Sequence, residues 1–191
     1  MAAFKKGDAR AFEKLLKRHE KSVFNFCFRM LSDREAAHDA TQEVFLKVVR
    51  NAAKWERQAK FTTWLFTLAR NHCIDGLRKA SHRKTTSLDQ SLKGAEDKGT
   101  TLGDRVADEQ SVTPDRGAES LRLRQTLAQA ITSLSQEQRE VFVMREYSGM
   151  PFKEIAEVVG VPENTVKSRM RYALEHLRGF LAKHGVKPGT T

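Results

Sequence analysis

The chain has 191 residues, with 34 Lys+Arg against 24 Asp+Glu for a net charge of +10, and a pI near 9.8. That length suits one domain or two small ones, and a hydrophobic content of 39% favours small helical units over one large core. The positive balance points to a polyanion, nucleic acid before a membrane surface; no apolar run approaches the ~20 residues of a membrane span, and the opening residues lack the apolar segment of a secretory signal.

Asp8 is placed to cap a first helix carrying Phe12, Leu15 and Leu16. A second apolar series, Val23, Phe24, Cys27, Phe28, Met30 and Leu31, is dense enough to centre a bundle. Ser32-Asp33, followed by Glu35, starts a third helix that runs to about Arg50. Its buried stripe is predicted as Ala37, Ala40, Thr41, Val44, Phe45 and Val48, and its far side as Asp39, Gln42, Glu43, Leu46 and Arg50. A leucine amid outward acids and amides suits a docking surface for another helix. A lone exposed leucine is also ordinary, and spacing alone leaves the two open.

Residues 51–60 break the helical pattern and read as a basic loop, with Asn51, Lys54, Arg57 and Lys60 around Trp55. A fourth helix starts at Phe61, with Phe61, Trp64, Leu65, Leu68 and Ala69 facing inward and Thr62, Thr63, Phe66, Arg70, Asn71 and Arg78 nearer the other side. Basic groups interleaved with aromatics can stack unpaired bases while holding phosphates. Packing in a small bundle is the commoner fate of such rings. Trp64 is assigned to the core, and Trp55 with its loop to nucleic acid.

From about Ser81 the helical period stops, and an acidic, weakly apolar stretch follows that cannot bury enough surface to fold alone. The second unit opens with a helix holding Leu121, Leu127, Ala128, Ile131 and Leu134. Ser135 with Gln138 forms a capping-box signature for the next helix, which carries Val141, Phe142 and Met144. Pro151 then starts a short helix, Gly160 breaks it, and Val161-Pro162-Glu163-Asn164 turns the chain into a last one. There Val166, Met170, Ala173, Leu174, Leu177, Phe180 and Leu181 form the inward stripe; Asn164, Ser168, Arg171, Tyr172 and Glu175 face out, with Lys167 and Arg169 on the flanks. Two helices joined by a short Gly-containing turn, the second with a polar and basic leading end, describe a helix-turn-helix.

The expected fold is therefore all-α: an N-terminal helix bundle (1–80), a flexible acidic linker (81–117), a C-terminal four-helix domain with the helix-turn-helix (118–182) and a tail (183–191). Cys27 and Cys73 stand among apolar neighbours without a CxxC or Cys/His cluster, and read as core thiols of a reducing compartment. His19, His38, His72, His82, His176 and His184 make no metal-ligand spacing with them. No phosphate loop or nucleophile motif is present, so neither a cofactor nor an enzymatic activity is expected, and the location expected is cytoplasmic.

The residues also resemble a family. Asp39-Ala-Thr-Gln-Glu-Val-Phe45, Phe61 to Asn71 with Asp75 and Arg78, Glu154-Ile-Ala, Val161-Pro162 and Thr165-Val-Lys-Ser-Arg169 are similar to bacterial RNA polymerase sigma factors of the extracytoplasmic-function (ECF) class. That resemblance implies docking on core RNA polymerase through Asp39, Gln42, Glu43, Leu46 and Arg50. It implies capture of a flipped base of the melted non-template minus-ten strand by the loop (Asn51, Lys54, Trp55, Arg57, Lys60) and the adjoining helix (Thr62, Thr63, Phe66, Arg70, Asn71). It implies minus-thirty-five reading in the major groove of double-stranded promoter DNA by Thr165, Lys167, Ser168, Arg169, Arg171 and Tyr172. An anti-sigma factor is a further expected partner. The chain departs from the family where His38 replaces a usual acid, where Asn164 and Tyr172 replace a usual Gly and Arg, and in the short stretch before Gly7-Asp8. The alternatives are a free-standing helix-turn-helix regulator, for which no dimerisation seam is visible, and a sigma mimic, which should lack the basic residues retained here.

Overall fold

Local capping chemistry decides where the helices begin. In the computed structural model, which describes residues 1–55, 60–90 and 114–186, a short α1 (Ala2–Lys5) precedes Gly7, whose φ of 93° turns the chain. The Asp8 carboxylate then accepts from the Ala11 amide at 3.1 Å and opens α2 (Ala9–Leu31). The two apolar series expected as separate helices form this single one, because Lys17 to Ser22 contains neither Gly nor Pro to interrupt it. Ser32 ends α2 in a left-handed conformation, φ 58°, its amide donating to the Phe28 carbonyl at 2.8 Å. The Asp33 carboxylate caps α3 (Arg34–Arg50) through the Ala36 amide at 2.8 Å.

A 3₁₀ turn at Ala52–Lys54 leads towards α4 (Phe61–Gln90). That helix continues past Ser81, where the linker was expected to start; nothing between Ala80 and Gln90 is a Gly or Pro that would stop it. α5 (Pro114–Thr132) likewise begins earlier than expected, at a proline whose missing N–H costs nothing in a first turn. The expected linker residues 91–113 and tail residues 187–191 lie outside the described residues.

The Ser135–Gln138 capping box is present and starts α6 (Gln136–Glu146). Pro151 precedes α7 (Phe152–Val159), and Gly160 closes it at φ 75°, with the Gly160 and Val161 amides both donating to the Ala156 carbonyl at 2.8 and 3.3 Å. α8 (Glu163–Lys183) follows Pro162. Every regular element among the described residues is helical.

α2, α3 and α4 form the N-terminal bundle around Val23, Phe26, Met30, Val44, Val48 and Leu65, all at most 1% exposed. The predicted α3 stripe is buried at all six positions. In the C-terminal unit Val141, Val143, Met144, Ile155 and Val166 are fully enclosed. Each such side chain contributes ~1.5–3 kcal/mol by leaving water. On α8 the inward stripe is Val166, Met170, Ala173 and Leu177, while Leu174, expected inside, is 45% exposed. The units pack against each other: α2 touches α5 and α6, and α4 touches α7. One apolar cluster runs through both.

Candidate nucleic-acid and docking surfaces

The outward face of α3 is presented much as its spacing predicts. Asp39, Gln42, Leu46 and Arg50 are exposed and Glu43 is half-buried, with Arg50 Nη1 donating to Glu43 Oε1 at 3.2 Å. Leu46 (47%) and Val49 (43%) are among the most exposed large apolar side chains of the described residues. The phase follows from one buried stripe on α3, which leaves the opposite stripe free.

The set expected to face DNA around α4 is divided. Lys54 and Asn71 are exposed; Asn51, Thr62 and Arg70 are half-buried. Thr63 and Phe66, expected outward, are 6% and 2% exposed, and Phe66 meets Phe26 edge-on at 5.6 Å between centroids. The reason is geometric: α4 packs against α2, α3 and α7, so its buried arc is wider than a single stripe. Trp64, assigned to the core, is only half-buried at the rim. Trp55 is corrected in the opposite sense. It is 8% exposed, so its ring is packed rather than offered for stacking. Lys5 Nζ secures that turn by donating to the carbonyls of Ala53 at 3.0 Å and Trp55 at 2.8 Å. Arg57 lies outside the described residues.

On α8, Lys167, Ser168, Arg171 and Tyr172 are exposed in one outward group, and Thr165 is half-buried. The Arg171 guanidinium sits 4.8 Å over the Tyr172 ring, and Lys167 pairs with Glu163 at 2.7 Å. Arg169 departs from that group by turning inward to Glu140, at 3.6 Å.

Two acids that spacing did not single out organise the seam between the units. Glu140 is fully buried and takes Arg70 Nε at 2.7 Å and Nη2 at 3.3 Å. Glu154, 9% exposed, accepts from Lys60 Nζ at 2.6 Å and from the Thr62 hydroxyl at 3.3 Å. The signal for both was an acid in apolar register: Glu140 lies one turn before Met144, and Glu154 one turn before Val158. The Glu154 carboxylate holds the Lys60 ammonium above its usual pKa, chiefly by that hydrogen bond. Glu137, at the start of α6, is held below the usual carboxylate range, first by a backbone amide. A polar cleft of about 460 Å³ opens here between α4 and the α6–α8 side, with Arg70, Arg78, Glu137 and Arg169 in its lining.

Cys27 and Cys73 are buried as expected, and are also neighbours across α2 and α4. The adjacent Cys27 thiol, then burial, pushes the Cys73 thiol up. Among the described residues, no group of His, Cys, Asp and Glu is arranged to hold a metal ion, and no helix is long and apolar enough to cross a membrane.

Comparison with known proteins agrees with this arrangement of two units. Residues 15–83 match Sigma-70 region 2, and residues 124–177 match Sigma-70 region 4. The chain is 32% identical over 174 residues to the ECF RNA polymerase sigma factor SigW of Bacillus subtilis, covering 91% of this chain and 90% of that protein. It is 34% identical over 186 residues to ECF sigma factor SigL of Mycobacterium tuberculosis, covering 94% and 93%. The fold resembles sigma factor RpoE in its complex with the anti-sigma factor NepR from Bartonella quintana, with a TM-score of 0.70 at 22% identity over 91% of this chain and 98% of that one. It also resembles CnrH in complex with the cytosolic domain of CnrY, with a TM-score of 0.68 at 20% identity over 95% and 94%. The chain belongs to the ECF class of RNA polymerase sigma factors, in the sigma-70 family.

Proposed function

We propose that this sigma factor docks on core RNA polymerase through the outward face of α3, with Leu46 as the apolar centre of Asp39, Gln42, Glu43 and Arg50. The loop after α3 and the leading end of α4 meet the minus-ten element, with Lys54, Lys60, Thr62, Arg70 and Asn71 supplying polar and cationic contacts. Thr63, Phe66 and Trp55 support that surface from behind. Lys167, Ser168, Arg171 and Tyr172 read the minus-thirty-five element from α8, with Thr165 at its leading end. The observation that carries the reading is the outward group on α8, which follows a helix-turn-helix and lies opposite the stripe Val166, Met170, Ala173 and Leu177. Phosphate contacts from the basic faces supply affinity that falls steeply with salt, and base contacts supply the sequence preference.

The factor works by position, holding two DNA-reading units at a set separation on polymerase, and carries out no chemistry of its own. It acts in the cytoplasm, where its polymerase is. The solved relatives bound to NepR and CnrY favour a regulatory anti-sigma partner for this chain as well. The test is transcription by bacterial core polymerase on a randomised promoter library, with and without the protein. Discrete starts that need the protein and follow two spaced elements are expected. Stable binding to core without such transcripts would favour a mimic, and failure to bind core would favour a free-standing regulator.

A further inference from the structure

The turn that carries Lys54 is fastened from outside itself. Its two carbonyl anchors, Ala53 at 3.0 Å and Trp55 at 2.8 Å from Lys5 Nζ, belong to the residues on either side of Lys54. Carbonyls that close a helical turn have no partner within it, and a lysine side chain is a ready donor to them. Here the donor comes from α1, which lies ahead of the matched residues 15–83. The start of the turn has its own fastening: the Asn51 amide and its side-chain Nδ2 both donate to the Lys47 carbonyl at 2.9 Å. The end is held less well from within, by a 3.3 Å bond from the Trp55 amide to the Ala52 carbonyl. The Trp55 ring is packed, but its Nε1 is buried and finds no acceptor among the described residues, so the ring adds no directional bond.

Lys5 is placed by its own helix. After the turn at Gly7, α1 lies against α2 and the 3₁₀ turn. The Phe4 ring meets Phe12 of α2 with 4.9 Å between centroids, and Phe12 meets Phe45 of α3 edge-on at 6.5 Å. Phe45 is 5% exposed, so α1 is keyed to the bundle core through one residue and to the turn through the next. Holding a long lysine side chain in one geometry costs rotamer entropy. Two acceptors on one ammonium and an anchored backbone offset that cost.

We infer that Lys5 is a positioning residue for the minus-ten site, holding the turn so that Lys54 meets the melted strand from one fixed geometry. This rests on the assignment of Lys54 and its loop to the minus-ten element given above. The physical advantage is preorganisation. A loop that orders itself only on contact with the strand gives up conformational entropy at that moment, which weakens capture. With the turn set when the chain folds, more of the contact energy offsets the extrusion of a base, the step that costs most. Both bonds of Lys5 go to the turn and neither to the outward face of α3. Its contribution therefore belongs to melting and capture, and docking on polymerase proceeds without it.

The test uses holoenzyme assembled from the full chain and bacterial core polymerase, on a promoter that the unsubstituted protein selects from the randomised library. A fluorescent base analogue in the non-template minus-ten strand reports melting, and co-elution reports core binding. Lys5→Met is compared with Lys6→Met, an exposed neighbour whose loss changes the net charge equally. Lys5→Met should slow melting roughly three- to tenfold beyond Lys6→Met, with core binding unchanged. Lys5→Arg, which keeps donors for both carbonyls, should regain most of the rate. In a Lys54→Ala background Lys5→Met should add little, because the group it positions is gone. Equal rates for Lys5→Met and Lys6→Met, full additivity with Lys54→Ala, no rescue by arginine or a parallel loss of core binding would overturn the proposal. The unsubstituted protein separates this from the broader reading. If it directs no transcription from any library member, the sigma assignment fails; if it does and position 5 makes no difference, only the positioning role falls.

Discussion

Replacing Glu140 by Gln keeps the side chain's shape and removes its charge, which makes it a direct probe of the seam. The Glu140 side chain is fully buried, while those of Arg70 and Arg169 are 20% and 25% exposed. Removing one partner from a wholly buried pair costs about 3–5 kcal/mol, mostly because a charge is left unpaired. Here both arginines retain some water and the amide oxygen still accepts a hydrogen bond, so the cost should be smaller, about 2–3 kcal/mol. Urea unfolding of Glu140→Gln, Arg70→Met, Arg169→Met and the two double variants separates the terms. The shorter, two-pronged contact with Arg70 should couple by about 1–2 kcal/mol, and the 3.6 Å contact with Arg169 by less than about 1 kcal/mol. A Glu140→Gln variant within ~0.5 kcal/mol of the parent, or no coupling to Arg70, would refute the reasoning.

Other outcomes follow from the same structure. Leu46→Asp should reduce co-elution with core polymerase and leave helical circular dichroism unchanged, since that side chain is 47% exposed; unaltered co-elution would remove α3 from the docking surface. Arg171→Ala should cost about 1–3 kcal/mol at one base pair of the minus-thirty-five element if it reads a base. A uniform loss across promoter variants would make it a phosphate contact. Burial first, and then the Lys47 ammonium at 3.2 Å, hold His72 below its ordinary value of 6.5, and His19 is lowered too, by burial and Arg18. Their unfolded forms take up protons that the folded chain resists, so stability present above about pH 6.5 should be lost as pH falls through the folded values. Melting temperature should drop between about pH 7.5 and 5.5, and less steeply in His72→Gln; equal slopes would discount this histidine. Lys5→Met removes two bonds to the Ala53–Trp55 turn, and should speed amide exchange at Lys54 and Trp55 while leaving α3 unaffected; unchanged rates would show that the turn holds without it.

How far the sequence was legible varies with how many neighbours each helix has. α3 presents one face to the bundle, and simple periodicity picked out each of its buried residues. α4 is enclosed by three helices, so a reading based on one stripe put Thr63 and Phe66 on the wrong side and drew Trp64 too far in. Caps were readable because they are local: Asp8, Asp33, the Ser135–Gln138 box and Gly160 all act within a few residues of themselves. Trp55 was not, since its burial accompanies an anchor from Lys5, 50 positions earlier. The family motifs disclosed two DNA-reading units. The acids that join them needed the fold, because Lys60 and Glu154 stand 94 residues apart.

The thiol pair across α2 and α4 has a practical consequence. Both cysteines have no exposed surface, so an alkylating reagent can modify them only in molecules whose N-terminal bundle has locally opened. Their labelling rate is thus a built-in clock for breathing of that bundle, needing no added probe. Run with polymerase, with promoter DNA or with a regulatory partner, it would tell which of them tightens the bundle as it binds, and which merely rests on its surface.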